Sequence, residues 1–237
     1  MSAAPIAAGT CKLALCQMLA GADKAANLAT ARAAIAEAAA AGAQLIALPE
    51  CFNSPYATDQ FPVYAEPIPA HASELTEAEH PSTFMLSRAA AAHGVFLVGG
   101  SIPERGAGGR VYNACVAFGP DGAILTKHRK VHLFDIDIPG RITFRESDTL
   151  SPGGPELATF DTPFGRCGLG VRGGGGGPAA DSGQFKRRCK TAHSFDFCPS
   201  FFALPPRRFA TTSDSRTSRC RCGRRAAASS STPAPST

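Results

Sequence analysis

Three side chains in this sequence have the types and settings for acid–base work on a polar bond: Glu50, Lys130 and Glu146. Each falls just past a predicted strand or in a loop leaving one, so the three can meet at one rim of a sheet. A carboxylate beside a lysine supplies a proton acceptor and a fixed cation for an oxygen that gains negative charge. Glu50 follows Leu45-Ile46-Ala47-Leu48-Pro49. That apolar run reads as a strand buried on both faces, stopped by a proline with no N–H to donate. On spacing alone a plainer reading stands beside this one. Glu50 would be a solvated loop residue, Lys130 one charge of the run Lys127-His128-Arg129-Lys130, and Glu146 a loop ion-pair partner, since ion-pair networks gather the same groups.

The elements that must position these residues alternate along the chain. Lys12–Met18 reads as a first strand, Gly21-Ala22-Asp23 as a cap, and the Ala-rich Asn27–Ala41 as a helix closed by Gly42. With Leu45–Leu48 this makes a βαβ-like unit. Asn53–Ala72 carries four prolines and reads as a structured loop. A helix over Ser82–Ala92, capped by Ser82 or Thr83 and stopped near Gly94, leads to a buried strand at Val95–Val98. Tyr112–Phe118, the turn Gly119-Pro120-Asp121-Gly122 and Ala123–Lys127 form a hairpin signal. After a loop containing Pro139 and Gly140, two further strands are expected at Leu157–Asp161 and Arg166–Val171.

The pattern breaks at Val171. Residues 1–171 hold 12 Lys/Arg against 16 Asp/Glu, a net −4, whereas residues 172–237 hold 12 against 3, a net +9. The second part is rich in Gly, Pro, Ser and Arg, and its apolar clusters such as Phe201-Phe202-Ala203-Leu204 are isolated. That composition favours disorder. The abrupt switch suggests a coding text that changes reading frame or runs into an intron. The first part is expected to be one domain over residues 11–171, the second a basic low-complexity tail. No run approaches the roughly 18 apolar residues of a spanning helix, and the first residues carry neither a basic region nor a long apolar core. Nine cysteines in no regular pattern suggest reduced thiols. The expected compartment is the cytoplasm, with the mitochondrion as the alternative. No metal or cofactor is expected. His128, His132 and Asp135 show no ligand spacing, Cys189…Cys198 and Cys220-Arg221-Cys222 do not fit a zinc site, and Gly173–Gly177 is followed by no Gly-Lys-Ser/Thr.

Several stretches, in order, resemble the nitrilase (carbon–nitrogen hydrolase) superfamily. They are Leu48-Pro49-Glu50-Cys51-Phe52-Asn53-Ser54-Pro55-Tyr56, Gly99-Gly100-Ser101-Ile102-Pro103-Glu104, Tyr112-Asn113, and Phe118-Gly119-Pro120-Asp121-Gly122. To these are added Arg129-Lys130-Val131-His132-Leu133-Phe134-Asp135, Phe144-Arg145-Glu146-Ser147 and Phe164-Gly165-Arg166-Cys167-Gly168-Leu169-Gly170-Val171. Through Phe134-Asp135-Ile136-Asp137-Ile138-Pro139-Gly140 the match is most similar to the omega-amidase branch. The resemblance implies an α/β fold, the first half of an α-β-β-α sandwich, and hydrolysis of carbon–nitrogen bonds in small linear amides such as alpha-ketoglutaramate and alpha-ketosuccinamate. It implies Glu50 as general base, Lys130 as stabiliser of the tetrahedral intermediate, and Glu146 as a second glutamate that positions the substrate amide and the lysine. It implies a homodimer for the intact fold, and no membrane partner.

The resemblance also implies a nucleophilic cysteine directly after the Gly-Leu-Gly-Val strand, and there the sequence departs from the family: Arg172 follows Val171. A guanidinium, permanently protonated, cannot attack a carbonyl carbon. Cys167 lies five residues earlier, an odd offset that strand alternation puts on the opposite face. The chain as written is therefore expected to be a catalytically defective omega-amidase-type hydrolase. Two other readings are a non-catalytic interaction module of the same fold and a nucleic-acid binder using the +9 tail through Lys186-Arg187-Arg188 and Arg224-Arg225. The last ranks lowest, because out-of-frame GC-rich text yields such residues without selection for binding.

Overall fold

The computed structural model describes residues 11–171 and the strand Phe201–Ala203. The expected tail of 172–237, its low-complexity character and Arg172 otherwise lie outside the described residues. The chain alternates strand and helix through β1 (Leu13–Leu15), α1 (Lys24–Ala40), β2 (Leu45–Ala47), a single turn α2 (Phe61–Tyr64), α3 (Pro81–His93) and β3 (Phe96–Val98). It then becomes strand-rich: β4 (Ile102–Arg105), β5 (Val111–Phe118), β6 (Ile124–Arg129), β7 (Asp135–Ile138), β8 (Ile142–Arg145), β9 (Ala158–Thr162), β10 (Gly165–Leu169) and β11 (Phe201–Ala203). Among the described residues no helix is long and apolar enough to cross a membrane.

β1, β2 and β3 pair in parallel, and β5 runs antiparallel to β3, β4 and β6. Side-chain alternation divides this six-stranded sheet into two faces. Ile46, Leu97, Ala114, Val116 and Phe118 pack with Ala31 and Ile35 of α1 and with Met85, Leu86, Ala89 and Ala90 of α3. Leu45, Ala47, Val98, Cys115 and Ala117 face the other way, against Phe160, Cys167, Leu169 and Val171 of the β9–β10 hairpin and its extension. The described part is thus a mixed α/β arrangement of three layers: helices, sheet, sheet. All three β2 residues are buried because both sides of that strand are covered.

The β9–β10 hairpin covers the centre of the sheet. Over β1 the sheet is barer, and Leu13 and Leu15 remain 41% and 49% exposed.

α1 begins a turn earlier than expected because the Asp23 carboxylate accepts the Ala26 N–H at 3.0 Å. The expected cap of α3 by Ser82 or Thr83 is not what forms. His80 occupies the cap position without a side-chain bond to the helix, Pro81 starts the helix, and the buried Glu66 carboxylate takes the Ser82 N–H at 2.9 Å. Ser82 Oγ also donates to Glu66, at 2.6 Å. A long-range carboxylate does the work of a local cap, which no local pattern announces. The loop expected around Pro139 and Gly140 is instead the β7–β8 hairpin, with only its turn residues matching the loop reading. β4 follows Gly99-Gly100-Ser101 because Glu66 bonds along its outer side while β5 pairs its inner side. Phe201–Ala203 pairs antiparallel with β10.

Candidate active site

Glu50, Lys130 and Glu146 come together. β2 brings the chain to Pro49, and Ser101 then binds the turn from three directions. Ser101 N–H donates to the Pro49 carbonyl at 3.3 Å, its Oγ accepts the Cys51 N–H at 3.0 Å, and its carbonyl accepts the Phe52 N–H at 3.2 Å. Gly100 makes this approach possible: its φ is +61°, and a Cβ there would stand 2.1 Å from the Pro49 carbonyl oxygen. Cys51 itself takes a left-handed φ of 51°, uncommon for a residue with a side chain. The turn so moulded delivers Glu50 into the site with its side chain 16% exposed.

Lys130 follows directly on β6. Its backbone N–H donates to the Asn113 carbonyl of β5 at 2.8 Å, and its carbonyl accepts the Gly153 N–H at 2.8 Å. With the main chain tied on both sides, the side chain runs inward and is 1% exposed. Its Nζ stands 2.9 Å from Glu50 Oε1 and 2.9 Å from Glu146 Oε1. The reading of Lys130 as one charge in a solvated cluster is therefore wrong. Lys127 and Arg129 do make such a cluster, around buried Glu104 at 2.7 and 2.6 Å, but Lys130 leaves it. Burial alone would pull the lysine pKa down; Glu50 and Glu146 more than offset this and hold it above the ordinary lysine value.

Glu146 opens a short 3-10 turn and is fully buried. Both of its oxygens are engaged: Oε1 accepts from Lys130 and from the Tyr56 hydroxyl, and Oε2 accepts the Phe134 N–H at 2.6 Å. Tyr56 is stacked on Phe144, with centroids 5.6 Å apart, and meets Phe61 edge-on at 5.5 Å. Burial and its bond to Glu146 raise the Tyr56 pKa, so the hydroxyl stays protonated and donates. Two residues quoted above only as parts of motifs thus belong to the site: Tyr56, and Asn113, whose Nδ2 donates to Glu50 Oε1 at 2.7 Å. The signal for Asn113 lay in pairing register, since Ala114 of β5 opposes Arg129 of β6 and sets Asn113 beside Lys130.

The described cysteines are Cys11, Cys16, Cys51, Cys115 and Cys167. Burial raises the thiol pKa of all five, and the charge of Glu50 adds to the rise at Cys51 and Cys115. None of them is set up as a thiolate. Cys167 points into the layer between the two sheets, as strand alternation requires. His128 is half-buried, with burial lowering its pKa, and His132 is exposed.

A family model for carbon–nitrogen hydrolases matches residues 12–173, a span that includes Glu50, Lys130, Glu146 and Arg172. Omega-amidase NIT2-A of Xenopus laevis is 52% identical over 160 residues, covering 68% of this chain and 54% of that protein. Omega-amidase NIT2 of Homo sapiens is 51% identical over 160 residues, with the same two shares. The chain spans about half the length of the curated relatives it matches. Among solved structures, Saccharomyces cerevisiae Nit3, a member of branch 10 of the nitrilase superfamily, superposes with a TM-score of 0.53 at 40% identity, over 64% of this chain and 51% of that one. The Caenorhabditis elegans NitFhit protein does so with a TM-score of 0.57 at 25% identity, over 70% of this chain and 38% of that one. A layered sheet with a buried glutamate–lysine–glutamate cluster at its rim, inside a family match that takes in most of the sequence, leads to one assignment: the chain belongs to the carbon–nitrogen hydrolase family of the nitrilase superfamily.

Proposed function

We propose that this chain carries the acid–base part of an omega-amidase-type site, acting on small linear amides, and that as written it lacks the nucleophile. The observation that carries the first half is the single Lys130 ammonium bridging two carboxylates at 2.9 Å each, almost without solvent exposure. An ammonium has three N–H groups; two are taken, and the third is left for an oxyanion. Glu146, fully buried with both oxygens bonded, is suited to hold the lysine in place. Glu50, at the solvent side of the cluster, is suited to carry a proton.

With a thiol at hand the chemistry follows from these roles. Glu50 takes the thiol proton as sulfur attacks the amide carbon, and Lys130 donates to the oxygen that becomes negative. The proton then passes to the nitrogen, the C–N bond breaks, and ammonia leaves a thioester. Water, deprotonated by Glu50, adds to the thioester, and the carboxylic acid and free thiol are released. The second half of the proposal rests on Arg172, which follows Val171 where the family places its cysteine, and on the raised thiol pKa of every described cysteine.

The test is ammonia release from alpha-ketosuccinamate. The chain as written releases none, and Arg172→Cys alone does not restore it, since residues 172–237 do not resemble the family's second half. A chain rebuilt with a full family second half releases ammonia and loses that activity with Glu50→Gln or Lys130→Ala. Ammonia release by the unaltered chain that persists after Glu50→Gln would overturn the assignment.

A further inference from the structure

Glu50 Oε1 is held twice, by Lys130 Nζ at 2.9 Å and by Asn113 Nδ2 at 2.7 Å, whereas Oε2 accepts no hydrogen bond among the described residues. Asn113 is 1% exposed and sits in the middle of a strand with partners on both edges. The facing of its amide follows from what it meets. Turned the other way, Oδ1 would confront Oε1, acceptor against acceptor. Its Oδ1 is buried without a partner among the described residues, a cost that a site tolerates when the other end of the amide has a task. Lys130 alone does not fix Glu50, because an ammonium is a rotatable point donor that can serve either carboxylate oxygen. Two donors converging on one oxygen, one of them an amide anchored in a central strand, do fix it.

We propose that Asn113 is a positioning residue for Glu50: it reserves Oε1, with Lys130, and so leaves Oε2 as the oxygen that carries the proton from nucleophile to leaving nitrogen. This rests on the general-base reading of Glu50 given above. It separates two duties within one carboxylate, with Oε1 the fixed end and Oε2 the working end.

The chain contains three asparagines, Asn27, Asn53 and Asn113, so selective 15N-asparagine labelling of the full chain gives three side-chain amide pairs. The Asn113 pair is expected to show one proton displaced downfield and protected from exchange. Glu50→Ala removes that displacement while the Asn27 pair on α1 stays in place. An Asn113 pair unmoved by Glu50→Ala overturns the inference without requiring any change at Asn113. The second arm uses the chain rebuilt with a family second half. There Asn113→Leu, close in shape but without the donor, lowers kcat by ~10- to 100-fold through misplacement of the base, with little change in KM. An active rebuilt chain whose kcat ignores Asn113→Leu overturns the positioning role and leaves the function reading standing. A rebuilt chain that is inactive with Asn113 in place overturns the function reading, and this inference with it.

Discussion

The Lys130 ammonium lies 2.9 Å from Glu146 Oε1, and the two side chains are 1% and 0% exposed. Neither charge has water to fall back on. Removing one partner of such a pair strands the other, at a cost of about 3–5 kcal/mol. Lys130→Met is therefore expected to lower the unfolding free energy by that order. Lys130→Met with Glu146→Gln should recover part of it, since the stranded charge is gone. Urea denaturation of the two variants checks this, and an additive double variant would contradict it.

The same cluster sets the alkaline limit of stability. The Lys130 pKa is raised above the ordinary 10.5 by Glu50 and Glu146 against the pull of burial, and that of Tyr56 above the ordinary 10.0 by burial and its bond to Glu146. As pH rises past these ordinary values the unfolded chain loses both protons while the folded chain keeps them, so stability falls. Denaturation midpoints measured from pH 9 upward should decline, and the decline should be shallower in Tyr56→Phe.

The acid limb has a different owner. Burial pushes the Glu104 pKa up, but bonds from Arg129 and Lys127 outweigh it and hold the carboxyl below the ordinary 4.5. Its contribution is present above that value and is lost as pH falls through the lower, folded-state one. Glu104→Gln should be less stable than the parent at neutral pH, and the gap should narrow below pH 4. A gap that stays constant with pH would show that the charge contributes nothing.

Gly100 is the position where the smallest addition does the most. Gly100→Ala puts a Cβ 2.1 Å from the Pro49 oxygen in a backbone conformation that L side chains avoid. Strain alone costs about 1–3 kcal/mol, and relief of the contact must move the turn that carries Glu50. The expected result is a lower melting temperature together with a shifted Asn113 side-chain amide resonance. Loss of stability with that resonance unchanged would mean the turn gives way elsewhere.

How far the site could be read from residue order differs from one member to the next. Glu50 was legible, because four apolar residues closed by Pro49 mark a buried strand and its end. Lys130 stood out by type and setting, but on spacing alone a solvated-cluster reading stood beside the catalytic one. Physically it looks like the last charge of Lys127-His128-Arg129-Lys130, and what separates it is strand alternation, which turns Lys127 and Arg129 toward Glu104 and Lys130 the other way. The β7–β8 hairpin escaped because Asp135-Ile136-Asp137-Ile138 alternates without a buried face to reward the alternation. The cap of α3 escaped because its acceptor, Glu66, lies 16 residues away. Asn113 escaped because its role depends on cross-strand register, which depends in turn on the bulge between Ala117 and Phe118.

Glu146 and Phe134 exchange two hydrogen bonds, N–H to carbonyl at 3.1 Å and N–H to carboxylate at 2.6 Å. They close the neck of everything between them. Residues 137–142, at the far end of that neck, form a cassette with its own turn and its own cross-strand pairing. Phe144, which stacks on Tyr56, stays outside the cassette. A different tip of similar length spliced in at these six positions should leave the Lys130 ammonium titrating where it did, so the protruding end can be exchanged, shortened or tagged as a handle without disturbing the charges at its root.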